Sequence, residues 1–205
     1  MKNQPKLRIA VQKSGRLNEP SMNFLKSLGL SFAPNGKSLI HQCQNYPLEV
    51  LYLRDDDIPE YVTSGVADFG IVGQNVLAEK EVGPKIIKKF EFGECKLIIA
   101  APRNSSIKEP KDLEGERIAT SYPKLLSGYL KKENLEAAII PISGSVEITC
   151  DLNLADAICD IVQTGQTLKA HNLSALFTLL ESQAVLVESP IKKAEKAGFL
   201  SKFKI

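Results

Sequence analysis

Tryptophan is absent from this 205-residue chain, and histidine and methionine each occur only twice. His41 and His171 are far apart, and Cys43, Cys95, Cys150 and Cys159 are scattered without a C-x-x-C spacing. A zinc site therefore has too few grouped ligands, and the thiols read as buried cysteines of a reducing compartment. No apolar stretch approaches the roughly 18 residues of a membrane span. The opening MKNQPKLRIAVQKSGRL lacks the apolar core of a signal peptide, so a cytoplasmic location is expected. Charge of one sign is also scarce. A net charge of +2 gives no broad basic face for nucleic acid, and any anion must be held by local groups.

What is present suits a globular α/β protein. A hydrophobic fraction of 43% leaves enough apolar surface for one large core or two small ones. Short apolar runs at residues 7–11, 48–53, 68–73, 95–101, 117–120, 137–142 and 157–162 alternate with segments of helical periodicity. Strands alternating with helices of this length predict parallel sheets covered on both faces. The strands form two groups, which predicts two lobes: residues 1–92 together with 174–205, and residues 93–173. In that division both strand-like runs of ALFTLLESQAVLVESP pair back onto the first lobe. Ligands of open α/β sheets sit beyond the carboxyl ends of strands, and two lobes would leave a cleft there.

Four polar loops follow four strands: QKSGR, RDDD, TSYP and QTGQT. In the last, Gly165 permits a tight turn that brings successive N–H groups toward one point, and Thr164 and Thr167 add hydroxyl donors. Such a nest suits a phosphate monoester. Asp160, on the strand ahead of it, can accept hydrogen bonds from sugar hydroxyls one ribose away. Thr-Gly-x-Thr alone equally fits an ordinary helix-capping turn, and the acid ahead of it favours the phosphate. Lys13, Ser14, Gly15 and Arg16 form a basic loop suited to a polyphosphate, or simply to solvent. Arg54 closes a strand ahead of three acids, of which Asp57, followed by Ile58 and Pro59, reads as a helix cap.

Gly70 and Gly73 in Asp-Phe-Gly-Ile-Val-Gly permit either the approach of a flat ring or tight packing. Gly144-Ser145-Val146-Glu147 is a small-residue turn in which Glu147 either caps a helix or binds a ligand. Gly36-Lys37-Ser38 imitates the end of a P-loop, but Ser31 stands where its upstream glycine is required, leaving Lys37 only as a residue that could face the cleft.

Taken in order, QKSGRL, RDDDIP, ADFGIVGQNVL, IATSYPKLL, GSVEI and ADAICDIVQTGQTL resemble the catalytic chain of the ATP phosphoribosyltransferase family across nearly the whole sequence. The resemblance implies a two-lobed fold similar to type II periplasmic binding proteins, with the active site in the cleft. It implies transfer of a phosphoribosyl group from phosphoribosyl pyrophosphate to ATP, with Mg2+ carried on substrate phosphates rather than by fixed protein ligands. By motif position, Thr164, Gly165, Gln166, Thr167 and Leu168 would hold the 5′-phosphate, while Glu147 and Asp160 would address the ribose. Arg16 and Arg54 would be catalytic, and Lys13, Gly15, Asp68, Gly70, Gly73 and Tyr122 would join them around ATP.

A homo-oligomer is expected. Longer members carry an ACT-like regulatory domain that is not among these 205 residues. The resemblance therefore implies either a short form working with a regulatory subunit similar to histidyl-tRNA synthetase, or a long form lacking its last domain. The alternatives are a two-lobed solute binder without chemistry, or a phosphoribosyltransferase using another acceptor.

Overall fold

Apolar runs become strands and the amphipathic segments between them become helices in the computed structural model, which describes residues 7–33, 38–81 and 83–204. Lys37 lies outside the described residues. In chain order the elements are β1 (Leu7–Gln12), α1 (Asn18–Ser27), β2 (Ile40–Gln42), β3 (Leu48–Leu53), α2 (Ile58–Thr63), β4 (Phe69–Gly73), α3 (Gln74–Lys80) and β5 (Lys85–Lys89). There follow β6 (Cys95–Pro102), β7 (Arg117–Thr120), α4 (Pro123–Glu133), β8 (Ala138–Pro141), α5 (Ile148–Asp151), β9 (Ala157–Val162), α6 (Gln166–Ala170) and β10 (Leu173–Ser182). The last elements are β11 (Ala184–Glu188) and α7 (Ala194–Phe203).

The chain divides into two compact units, residues 1–93 with 183–205 and residues 94–182. The first is built on a six-stranded sheet of order β2-β3-β1-β4-β11-β5. β1 lies between β3 and β4 and runs parallel to both, so the chain leaves all three strands at one edge. Apolar side chains fill both faces of the sheet: Ile9, Val11, Phe69 and Phe199 belong to one cluster, and Ala10, Ile58, Val62 and Val187 to another. α7 is fixed by Phe199, whose ring centroid lies 5.3 Å from that of Phe69.

The second unit has a five-stranded sheet of order β10-β6-β9-β7-β8, in which β7 runs parallel to β8 and β9. Its faces are covered by clusters around Leu97, Ile118 and Leu126, and around Ile98, Val146 and Leu168.

Three expectations need correction. The sheets are mixed rather than parallel throughout, because outgoing and returning strands lie side by side. Cys95 at the start of β6 faces Ser182 at the end of β10, and Lys89 of β5 faces Val185 of β11, each pair antiparallel. Residues 174–182 also stay with the second unit, since β10 pairs with β6 from Leu173 to Ser182. An apolar run does not by itself select its partner, and two register shifts in β10 blur its alternation. Asp57 makes no side-chain cap either. It ends a 3₁₀ turn over Asp55–Asp57 that runs directly into α2.

The four cysteines are free and buried. Burial pushes the Cys150 thiol up to about 11, leaving it protonated and unreactive near neutrality. No helix among the described residues is long and apolar enough to cross a membrane.

Candidate active site

In the first unit, the carboxyl ends of β1, β3 and β4 bring Lys13, Arg16, Arg54 and Gly73 to one sheet edge. The loop after β1 is held from several sides. The Lys13 N–H donates to Leu53 O at 2.7 Å, tying this loop to the strand that ends beside Arg54. The Gln12 side-chain oxygen accepts from the Leu17 N–H at 2.9 Å. The Asn18 amide donates to the carbonyls of Gln12 and Lys13 at 2.6 and 3.1 Å. Gly15 turns at φ +106°, and a Cβ there would stand 2.9 Å from Gln12 Nε2. The backbone conformation and the nearby Gln12 side chain together explain why this position is glycine.

Arg16 is half-buried, and its guanidinium donates through Nη1 to the Gly93 carbonyl and through Nη2 to Asn75 Oδ1 at 3.1 Å. Arg54 is exposed in extended backbone, and no hydrogen bond or ion pair among the described residues holds its guanidinium. Asn75 and Gly93 escaped the sequence reading. The only available signal was the presence of Asn75 within the quoted GQNVL stretch.

In the second unit, β7, β8 and β9 present their carboxyl ends together. Thr120 ends β7 in register with Cys159 and Pro141, so Asp160 stands one residue beyond that level. The buried Thr120 hydroxyl donates to the Cys159 carbonyl at 2.6 Å and accepts the Tyr122 N–H at 2.8 Å, which fixes the turn after β7. Asp160 is largely withdrawn from water, and this burial pushes its carboxyl up to about 6. A hydrogen bond from the Ile161 N–H opposes the rise, and the Glu147 charge adds to it, so the two carboxyls feel each other. The Glu147 side chain makes no cap bond at the start of α5, leaving it available to a ligand.

Gly165 caps α6 in the left-handed region, at φ +74° and ψ 9°, with no side-chain cap from either threonine. The first bond across this cap runs from the Lys169 N–H to Gly165 O, so the N–H groups before Lys169 have no intrahelical acceptor. A left-handed glycine followed by helical residues is the backbone form of an anion nest. Leu168 contributes its backbone only, since its side chain is buried with Val146 and Ile158. Thr164, Gln166 and Thr167 are exposed.

Three residues have their surroundings set by packing or pairing. Asp68 precedes β4, at the strand end opposite Gly73, and is 1% exposed. Its carboxylate accepts the Arg8 N–H at 2.9 Å and pairs with Lys193 Nζ at 2.7 Å, which ties β1 and the segment leading into α7 to this strand end. Gly70 lies under α2, where a Cβ would meet Ile58 Cγ2 and Val62 Cγ2, each at 2.8 Å. Gly70→Ala is expected to cost about 1–3 kcal/mol by overpacking. Thermal melting should register that loss while the KM for ATP stays unchanged; a raised KM with an unchanged melt would return Gly70 to the nucleotide. Tyr122 follows the carboxyl end of β7, and its side chain packs into the core of the second unit with Ile118, Leu126 and Leu130. Among the described residues, no three His, Cys, Asp or Glu side chains gather into a metal-holding group.

A family profile described as HisG: ATP phosphoribosyltransferase matches residues 54–204. The ATP phosphoribosyltransferase of Cytophaga hutchinsonii is 47% identical over 194 residues, 95% of this chain and 68% of the relative. That of Bacteroides thetaiotaomicron is 43% identical over 194 residues, 95% of this chain and 69% of the relative. Among solved structures, the ATP phosphoribosyl transferase (HisG:HisZ) complex from Thermotoga maritima superposes with a TM-score of 0.81 at 32% identity, over 97% of this chain and 96% of that one. The periplasmic aliphatic sulphonate binding protein SsuA from Escherichia coli superposes with a TM-score of 0.61 at 15% identity, over 98% of this chain and 72% of that one. This second likeness is one of fold alone.

Proposed function

Because the chain belongs to the ATP phosphoribosyltransferase family, whose reaction opens histidine biosynthesis, we propose that its two sheet edges divide that reaction between sugar and nucleotide. Family membership sets aside the solute binder without chemistry and the transferase with another acceptor. A ring nitrogen of adenine attacks the anomeric carbon of phosphoribosyl pyrophosphate as pyrophosphate departs. Positive charge grows on the sugar while negative charge grows on the leaving group.

In the second unit, the nest at Gly165 with Thr164, Gln166 and Thr167 binds the 5′-phosphate, and Asp160 and Glu147 accept from the ribose hydroxyls. The observation that carries this assignment is the coincidence of an open left-handed cap with two carboxyls of the same unit that feel each other's charge. In the first unit, Lys13, Gly15, Arg16, Arg54 and Gly73 serve ATP and the departing pyrophosphate. Arg16 and Arg54 stabilise charge that develops only in the transition state.

No covalent intermediate is needed, and alignment of two substrates can remove roughly 7–11 kcal/mol from a barrier. Magnesium would accompany the substrate phosphates and offset their charge, rather than being held by fixed protein ligands. A regulatory partner and a homo-oligomer belong to the proposal, supported by the two-component nature of the Thermotoga maritima complex, and so does a cytoplasmic setting, as expected of a biosynthetic enzyme.

Thr167→Ala tests the phosphate nest. Loss of one donor to a charged oxygen removes about 1.5–3 kcal/mol, so the Kd for phosphoribosyl pyrophosphate should rise by about 10-fold or more while ATP binding holds. Calorimetric titration showing equal affinity in the variant would displace the phosphate from this turn.

A further inference from the structure

We propose that Asn75 is a positioning residue for the transfer reaction, its buried side-chain oxygen joining the Gly93 carbonyl to aim the Arg16 guanidinium. The inference rests on the assignment of Arg16 to the leaving group and extends it to residues that the motif reading does not assign.

Asn75 is fully buried at the start of α3, an uncommon place for a polar amide unless its hydrogen bonds are specified. Its Oδ1 accepts from Arg16 Nη2 at 3.1 Å, while Arg16 Nη1 donates to Gly93 O. A guanidinium has five N–H donors in a rigid fork, so two anchored groups set its plane and leave others for an anion.

Two glycines make room for this cradle. A Cβ on Gly73 would stand 2.2 Å from Asn75 Oδ1 and 3.0 Å from Arg16 Nη2. Gly93 turns at φ +71°, and a Cβ there would meet Leu17 Cδ2 at 2.3 Å and Arg16 Nη1 at 3.3 Å. Both acceptors are neutral. A carboxylate in place of Asn75 would hold the arginine equally well but would cancel much of the field that a departing pyrophosphate needs. An amide and a carbonyl orient the cation and leave its charge intact.

The test is a double-mutant cycle on the full chain, with kcat and KM read from pyrophosphate release and folding read from thermal melts. Asn75→Ala should lower kcat on the order of 10-fold with little change in either KM, since aim rather than ground-state binding is lost. Asn75→Asp should lower kcat comparably while melting within a few degrees of the parent, an outcome that a purely structural amide does not produce. In an Arg16→Ala background, Asn75→Ala should add less than about 2-fold, because the two act as one unit. A full, multiplicative loss in that background would overturn the proposal. Parental turnover in Arg16→Ala alone would instead remove the assignment of Arg16 beneath it. Should Asn75→Ala not fold, Gly73→Ala displaces the same oxygen while keeping the amide, and the cycle is read on that variant.

Discussion

Arg16→Ala is expected to lower turnover by about 10²–10³-fold, the range found when one preorganised donor to a developing negative charge is removed. The side chain sits at the carboxyl edge of the first sheet, on a loop fixed through Gln12, Asn18 and Leu53. Its guanidinium is aimed before substrate arrives. Folding depends on it far less. The variant loses the bonds to Gly93 and Asn75, at a cost of about 1–3 kcal/mol for a buried acceptor left short of a partner. A chain of this size then melts about 2–12 °C earlier, still a folded protein at assay temperature. Turnover measured beside a thermal melt separates the effects; an early melt with normal specific activity would make Arg16 a structural residue.

Asp160→Asn should weaken phosphoribosyl pyrophosphate binding on the order of 100-fold and should also stabilise the fold at alkaline pH. The two effects share one cause. Burial raises the carboxyl from 3.8 to about 6, so the ionised form is costly in the free protein. That form is nevertheless the one that accepts from two ribose hydroxyls, each charge-assisted bond contributing about 1.5–3 kcal/mol. Binding should therefore tighten in the parent as pH rises through about 6, and the variant should lack this rise.

Stability moves the other way. Below 3.8 both folded and unfolded states carry the proton, and the group is neutral to folding. Between 3.8 and about 6 the folded state keeps a proton that the unfolded chain has released, so stability falls as pH rises. Above that window the penalty is constant, with a ceiling of about 3 kcal/mol at 1.36 kcal/mol for each pKa unit. Asparagine retains an oxygen for the Ile161 N–H and carries no charge to desolvate. Melts at pH 4 and pH 8 check the sign: the gain should appear at the higher value and shrink at the lower. Unchanged sugar affinity at pH 8 would remove Asp160 from the ribose.

The most legible parts of the site in the sequence were the loops that leave parallel strands. Glycine next to basic or hydroxyl residues after β1 and β9 marks a tight loop, whether or not a ligand uses it, and the structure puts each loop at the carboxyl end of its strand. Asp68, Gly70 and Tyr122 share motifs with residues of the two edges, but neighbours in a motif need not be neighbours in the fold. From Asp68 to Gly73 the chain runs the length of β4, roughly 16 Å at 3.3 Å per residue, so the two belong to opposite edges. Tyr122 begins a helix whose apolar face draws its ring inward. Asn75 was illegible for another reason: an amide opening a helix has no pattern of its own, and the contact behind its proposed role is with Arg16, 59 positions earlier in the chain. The division into two sheets was readable from strand spacing. The place where the chain returns was not, because pairing partners are settled by register rather than by composition.

The insertion of β11 between β4 and β5 also governs the order in which the chain matures on the ribosome. Among the described residues β5 has no strand neighbour except β11, and Phe199, in the same core, arrives later still. Residues 94–182 have all their sheet partners among themselves and can condense as soon as they emerge. The half synthesised first is thus completed last, and until then its unfinished strand edge waits exposed, which makes this interval the one in which a chaperone has most to protect.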